Sequence, residues 1–527
     1  MKFEVLSPWG MAFIPLYLAG ILLISLASRR RAASSNDYLN ASRSLPTWAA
    51  TLSFLAYNCG SIEVIGMSAM ASQYGVQALH FYWIGGIPGM IFFAIVVLPI
   101  YMRTGARSLP EYLEMRFGPS VRLLNTCISM VGTTCLAGAA LYAMAHVLHV
   151  ILGCDLLLGS LASALVVLTY VLLGGIRATI YTSVFQLFVM IAGLVPLLIM
   201  TFHFSPATFV QRPERWHLWQ PLPLFAPYAT LDRVGVVLGL GFMISFSYWC
   251  TDFVIIQRAL TARSVEGARK VPILAGFGKL AIALVVVLPG VAAPALLRGT
   301  HAVPHDEAMP ALLSLAYGPT LLGLGIAALL ASLMAGFAGA VSGFAAAWTQ
   351  EIYRNCIRRN QSEQHYICMG RWAVLACFVL AELAAYITVC FRDLMEFLQL
   401  VLSLFYAPLL AAVLAGMFNR RTREQGAFAG ILLGVLAGIG LQVCARFEGI
   451  HFGSQMSTNF YTAMLSFSIS MLGCLLYKRQ KQGEMEIERQ RFMLDANILV
   501  AIRPTRELAV LSTVLLVLCL FLNLLWW

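Results

Sequence analysis

Apolar residues run along this chain in long blocks, and the polar positions between them are few. A block that crosses the hydrocarbon core of a bilayer as an α-helix needs about 20 mostly apolar residues. Fourteen such blocks can be drawn, at 8–28, 47–75, 79–102, 123–152, 155–173, 178–201, 234–256, 271–297, 316–348, 372–390, 395–418, 426–444, 459–477 and 508–527. The pattern predicts an all-α membrane protein with one transmembrane domain over 1–527 and no room for a soluble module. It divides into an extra N-terminal helix at 8–28, a core at 47–444 and two C-terminal helices within 459–527. The first block lacks a basic leading region and a small-residue cleavage site, so it reads as a retained helix rather than a signal peptide.

Polar residues inside a block are the exceptions that carry chemistry. The second block reads LAYNCGSIEVIGMSAM and places Asn58, Gly60, Ser61 and Glu63 at mid-span. A carboxylate at the bilayer centre costs about 2.5–3.5 kcal/mol on insertion scales, so one that persists there has a task. The seventh block, five further on, contains YWCTDFVIIQR and carries Asp252. Transporters built from inverted repeats break the first helix of each repeat at mid-membrane, which exposes backbone groups to solute and ions. Blocks two to eleven therefore read as two inverted five-helix repeats, with Glu63 and Asp252 at corresponding places.

Composition supports lipid as the solvent. The chain has 527 residues, 60% hydrophobic and 11% charged, with mean hydropathy +0.80; a soluble domain carries about 25% charged residues. The net charge of +11 follows from topology rather than from nucleic acid. Connectors holding Arg29 to Arg31, then Arg103, Arg107, Arg116 and Arg122, then Arg258, Arg263, Arg269 and Lys270, fall on one face. By these boundaries about 27 of the 35 Lys and Arg lie there, which makes that face cytoplasmic and puts both termini outside. The twelve cysteines follow no metal-ligand spacing and read as buried small apolar residues. Neither G-x-S-x-G, a phosphate loop nor a His-rich cluster occurs, which argues against an enzyme. A solute sensor is a further alternative, although the sequence offers no stretch for a signalling module. The connector 202–232 reads as a cap on the outer vestibule or a tether; 478–507 reads as a surface helix or a tether.

Several segments, in order and spacing, resemble the sodium:solute symporter family, particularly its sodium/glucose cotransporters. They are SLPEYLEMRFG from Ser108, GGIRATIYTSVFQ from Gly174, YWCTDFVIIQRAL from Tyr248, GKLAIALVVVLPG from Gly278, FLQLVLSLFYAP and NRRTREQGAFAG. The resemblance implies a leucine-transporter-like core, alternating access about a central site, and import of a sugar or similar small polar solute with sodium. It implies substrate-binding roles for Asn58, Lys279 and Gln399, and Asp252 stands where relatives place Asp or Asn. Directional donors and acceptors beside an aromatic face suit a polyhydroxylated ligand; Tyr82, Trp83, Tyr248 and Trp249 are the candidate aromatics, as ligands or gates. Lys279 is open to a second reading, as the counter-charge of Asp252.

Two departures qualify the resemblance. Tyr82 stands where some relatives have a sugar-binding glutamate, and Glu63 stands where Gln or His is usual, so the acidic partner has moved. The sodium site is thinner: the resemblance implies carbonyls of Ala56, Cys59 and Ser332, but its two hydroxyl positions are Ala335 and Gly336, and Ser183 replaces an aspartate. A hard cation wants about five or six oxygens. The coupling ion is therefore expected to be sodium, with a proton on Glu63 or no ion as the alternative, and no other cofactor. The expected setting is the plasma membrane, bacterial inner membrane included, with no obligate protein partner.

Overall fold

The computed structural model describes residues 6–29, 45–60, 62–106, 108–204, 213–219, 231–297, 303–447, 452–476 and 503–527. Among these the protein is a bundle of helices, here named α1 to α14. Helix α1 is Pro8–Arg29. Helix α2 comes in two pieces, Thr47–Asn58 and, after a break, Ile62–Gly66 running into Met67–Tyr74. Then come α3 (Phe81–Thr104), α4 (Pro119–Leu152), and α5 and α6, the two arms of Leu156–Phe204 on either side of Gly175. Helix α7 is Gly235–Thr251 with Phe253–Ala259, bent by 59°. The rest are α8 (Val265–Leu296), α9 (Pro319–Ile357), α10 (Glu363–Thr388), α11 (Leu394–Phe418), α12 (Glu424–Phe447), α13 (Gln455–Leu476) and α14 (Arg506–Leu525).

Length and composition alone count eleven helices able to cross a membrane, or twelve with the bent pair, rather than fourteen. The difference has a physical cause. The arms of Leu156–Phe204 meet at a kink on Gly175, whose φ of 62° and ψ of −157° are not helical, so a run counted as one long helix holds two. Neither piece of α2 is long enough to span by itself.

Side chains at the ends set where helices begin. Ser264 accepts from Gly267 N at 3.0 Å, Ser362 from His365 N at 3.3 Å and Asp393 from Glu396 N at 2.8 Å, each satisfying a first-turn amide. Helix α9 is mostly buried and forms the inner wall, whereas α1 and α14 turn most of their surface outward to lipid.

Contacts at the helix ends define two faces. On one, Leu45 N donates to Thr261 O at 3.0 Å and Arg263 N to Leu45 O at 3.0 Å, and Arg116 donates to Gly416 O and Asn419 O at 2.9 Å. There, too, Arg122 binds Glu351 at 2.6 Å. On the other face Ser7 N donates to Pro319 O at 3.3 Å and Leu218 N to Trp526 O at 2.8 Å. Arg215, in the short helical turn Pro213–Trp216, donates to Ala71 O and Ser72 O at 3.0 and 2.7 Å, which seats part of the 202–232 connector over the end of α2. Most of 478–507 lies outside the described residues.

Two expectations need correcting. Arg258, assigned to a connector, is 1% exposed: it donates to Ser53 O at 2.9 Å and lies 5.1 Å from the centre of the Tyr57 ring. Of the twelve cysteines, all free, only five are buried; Cys127 and Cys368 sit exposed on helices, because a lipid-facing position accepts a thiol as readily as a core does.

Candidate functional site

The two broken helices meet at mid-bundle. Helix α2 stops at Asn58, Cys59 leaves helical geometry with φ −87° and ψ 32°, and helical winding resumes at Ile62. Gly60 lets α2 approach α9 closely there, since a Cβ on it would stand 3.1 Å from Gly336 Cα. In α7 the break falls on Asp252, extended at φ −65° and ψ 124°. Its Oδ1 accepts from Ile255 N at 2.8 Å and so starts the second half of α7, while Oδ2 accepts from the Tyr406 hydroxyl at 3.1 Å. Tyr248 ties the breaks together by donating to Asn58 Oδ1 at 3.2 Å.

Beside the breaks lies a buried polar cluster drawn from four helices. Lys279 of α8 forms a direct ion pair with Glu63 of α2, and the Tyr82 hydroxyl of α3 donates to the other Glu63 oxygen. All three are at most 5% exposed. The Lys279 ammonium also lies 5.3 Å from the ring centres of Tyr82 and Trp249, within reach of a cation–π attraction. Trp249 in turn stacks on Phe54 at 5.7 Å. Gln399 of α11 is 3% exposed; its amide nitrogen meets only Met395 Sδ at 4.0 Å, and its amide oxygen has no protein partner.

The structure thus brings Glu63, Lys279, Tyr82 and Trp249 together, and separately Asn58 and Tyr248. It does not pair Lys279 with Asp252, because both Asp252 oxygens are engaged at the α7 break. Trp83, expected as a gate, stacks on Trp526 at 5.7 Å beside α14: successive helical residues point about 100° apart, so Tyr82 faces the cluster and Trp83 turns away. A cavity of about 20 Å³ lies against Tyr57, Asn58, Gly60, Leu136, Ala140, Tyr248, Gly336 and Ala340. That volume holds about one water.

At the expected ion positions, the Ser332 hydroxyl donates to Cys59 O at 2.5 Å and lies 3.4 Å from Gly60 O. One of the three carbonyls expected to hold sodium, that of Cys59, therefore already has a partner. Ala335 and Gly336 supply no side-chain oxygen. Ser183 donates to Thr179 O at 2.6 Å within its own helix, and Thr179 lies 3.1 Å from the Ser342 hydroxyl. Among the described residues no group of three or more His, Cys, Asp or Glu is arranged to hold a metal ion.

The sodium:solute symporter family model matches residues 38–434, three quarters of the chain. The chain belongs to the sodium:solute symporter family. It is 26% identical over 535 residues to the sodium/glucose cotransporter of Vibrio parahaemolyticus, covering 93% of this chain and 96% of that one. It is also 26% identical to the sodium/myo-inositol cotransporter 2 of Rattus norvegicus, over 82% of this chain and 70% of the relative. Among solved structures, a substrate-bound, outward-open Na+-coupled sialic acid symporter superposes with a TM-score of 0.74 at 19% identity, covering 90% of this chain and 100% of that one. A nucleobase-cation-symport-1 family transporter, closed with bromovinylhydantoin bound, gives 0.51 at 15% identity, over 86% and 98% of the two chains. These likenesses show a shared leucine-transporter-like fold, and in this symporter-family chain the broken helices α2 and α7 head its two repeats, α2–α6 and α7–α11.

Three contributors were not singled out in the sequence. Tyr57 lines the cavity, Phe54 carries Trp249, and Tyr406 orients Asp252. Two of them lie within or just before the segment that drew attention to Asn58, so helical spacing back along α2 was the available signal. Tyr406 offered none, since an aromatic inside an apolar block is usually packing.

Proposed function

We propose that this symporter imports a monosaccharide or a similar small polyhydroxylated solute with sodium, by alternating access. The carrying observation is the buried cluster of Glu63, Lys279 and Tyr82 against Trp249 beside two facing helix breaks: it presents a carboxylate, an ammonium, a phenol and a ring face where a bilayer protein would otherwise hold hydrocarbon, and Gln399 of α11 keeps an unmet amide oxygen. A sugar hydroxyl both donates and accepts, so it can slip between Lys279 and Glu63 while taking a bond from Gln399. Asn58 and Tyr248 bound the other side, and Trp249 offers a ring face. The relatives' names, sodium/glucose and sodium/myo-inositol cotransporters, support the same solute class.

A space beside Asn58 and Tyr248 with room for about one water is too small for a sugar, so the helices around it move apart when the solute enters. Sodium entry would first turn the Ser332 hydroxyl away from Cys59 O, freeing that carbonyl and a hydroxyl oxygen for the ion. A second reading, coupling to a proton on Glu63 or to no ion, is favoured by the absence of side-chain oxygens at Ala335 and Gly336. The basic connectors on one face support a plasma-membrane orientation with both termini outside, the bacterial inner membrane being one such setting.

The deciding experiment is uptake of labelled glucose, galactose and myo-inositol into proteoliposomes under an inward sodium gradient, an inward proton gradient, or neither. Uptake driven by sodium supports the proposal. Uptake that ignores sodium and stops in Glu63→Gln supports the proton reading, and no uptake of any of the three removes the sugar assignment.

A further inference from the structure

A second polar cluster lies at the end of α2 that the Arg215 turn covers. It joins the turn His305–Glu307 and the short helix Ala308–Ala316 to the start of α11. Asp306 Oδ2 accepts from Leu394 N at 3.0 Å, and Asp393 Oδ1 accepts from Glu396 N at 2.8 Å. Two carboxylates from distant parts of the chain therefore cap two first-turn amides of one helix end. Each is 5% exposed, and each leaves its second oxygen, Asp306 Oδ1 and Asp393 Oδ2, buried without a partner.

Carboxylate oxygens only accept, so two ionised groups in this position repel and both orphan oxygens stay unmet. One proton changes that: a protonated carboxyl donates where its neighbour accepts. We propose that Asp306 and Asp393 form a proton-binding carboxyl pair, and that the bound proton fastens the 305–316 segment onto α11. That segment also holds α2, through Ser72 and His305 Nδ1 at 2.6 Å. The pair thus acts on how this end of the bundle holds together, whatever solute the central site takes.

The surroundings are mixed in sign. The 305–316 segment contributes His305 and Glu307, the latter 3.2 Å from His146 of α4. Tyr142 faces the pair from α4, Tyr74 from α2, Arg392 and Glu396 from the α11 end, and Arg215 faces His305 from the connector. Burial, then the nearby Asp393, pushes the Asp306 carboxyl up to about 7, and burial raises Asp393 as well. Burial lowers His305, which favours its neutral form.

When the segment lifts and hydrates, a carboxyl returns to about 3.9. The seated state then binds the proton more tightly. Its advantage is complete below the lifted-state value and is lost as pH rises through about 7.

Hydrogen–deuterium exchange of peptides covering 303–316 and 391–400, in lipid nanodiscs and corrected for intrinsic exchange, reads this directly. Wild type is expected to exchange there about tenfold more slowly at pH 5.5 than at pH 8. Asp306→Asn and Asp393→Asn should each abolish the pH response, and Asp306→Glu should keep it. A wild-type profile indifferent to pH, or an Asn variant that still titrates, overturns the proposal. Should Asp306→Asn fail to fold, Asp393→Asn alone decides: a flat response supports the pair, and a titrating one sinks it.

Discussion

Glu63 and Lys279 sit 216 positions apart in the sequence and meet at mid-bundle because α2 and α8 pack together. Removing one member of a buried pair leaves the other's charge uncompensated, which costs about 3–5 kcal/mol, whereas replacing both with apolar groups of similar size is often neutral. Glu63→Gln is therefore expected to lower the thermal unfolding midpoint clearly, and Glu63→Gln with Lys279→Met to restore most of it while leaving uptake abolished. Melting curves and uptake on the same preparations separate the two effects; full recovery of uptake in the double variant would remove the pair from the solute site. At this scale the sequence exposed Asn58, Glu63, Lys279 and Gln399 as polar residues in apolar blocks, but not their pairing. Whether Lys279 meets Asp252 or Glu63 depends on the rotation of each helix, which a run of apolar residues does not specify. Tyr82 and Trp83 show the same limit, since adjacent positions lead to opposite surroundings.

Helix positions were legible because each is a long apolar run bounded by Gly, Pro or a capping Ser, Thr or Asp. Interruptions within runs were legible only where polar residues marked them, as at Asn58–Glu63 and Asp252. The turn at Gly175, whose backbone leaves helical geometry, separates the two spans expected at 155–173 and 178–201. Asp252 ends one piece of α7 and starts the next, which makes a clear test of element against residue. Losing a cap costs about 1 kcal/mol, and Asn caps as well as Asp does. Asp252→Ala is expected to lose about 1–2 kcal/mol, with the Tyr406 hydroxyl left unmet, and to slow maximal uptake. Asp252→Asn should remain close to wild type in both. A large rise in the solute concentration for half-maximal uptake in Asp252→Asn would instead make this carboxylate a solute ligand.

At the scale of the whole molecule, coupling is a matter of energy rather than of contacts. One sodium ion entering through 100 mV and a tenfold gradient releases about 2.3 plus 1.4 kcal/mol, enough to accumulate a neutral solute about 500-fold. An uncoupled carrier with the same central site would stop at equal concentrations. The Ser332 bond to Cys59 O and the bare positions Ala335 and Gly336 leave sodium with fewer side-chain oxygens than the family resemblance implies, so its binding should be weak and its coupling incomplete at low sodium. Accumulation in proteoliposomes is thus expected to climb toward the sodium limit only as external sodium is raised at fixed potential and gradient. Ala335→Ser restores one hydroxyl beside Ser332 and should lower the sodium concentration for half-maximal accumulation several-fold. If accumulation follows the proton gradient instead and Ala335→Ser changes nothing, Glu63 becomes the coupling group and the carbonyls around Cys59 serve only to hold the broken helix against α9.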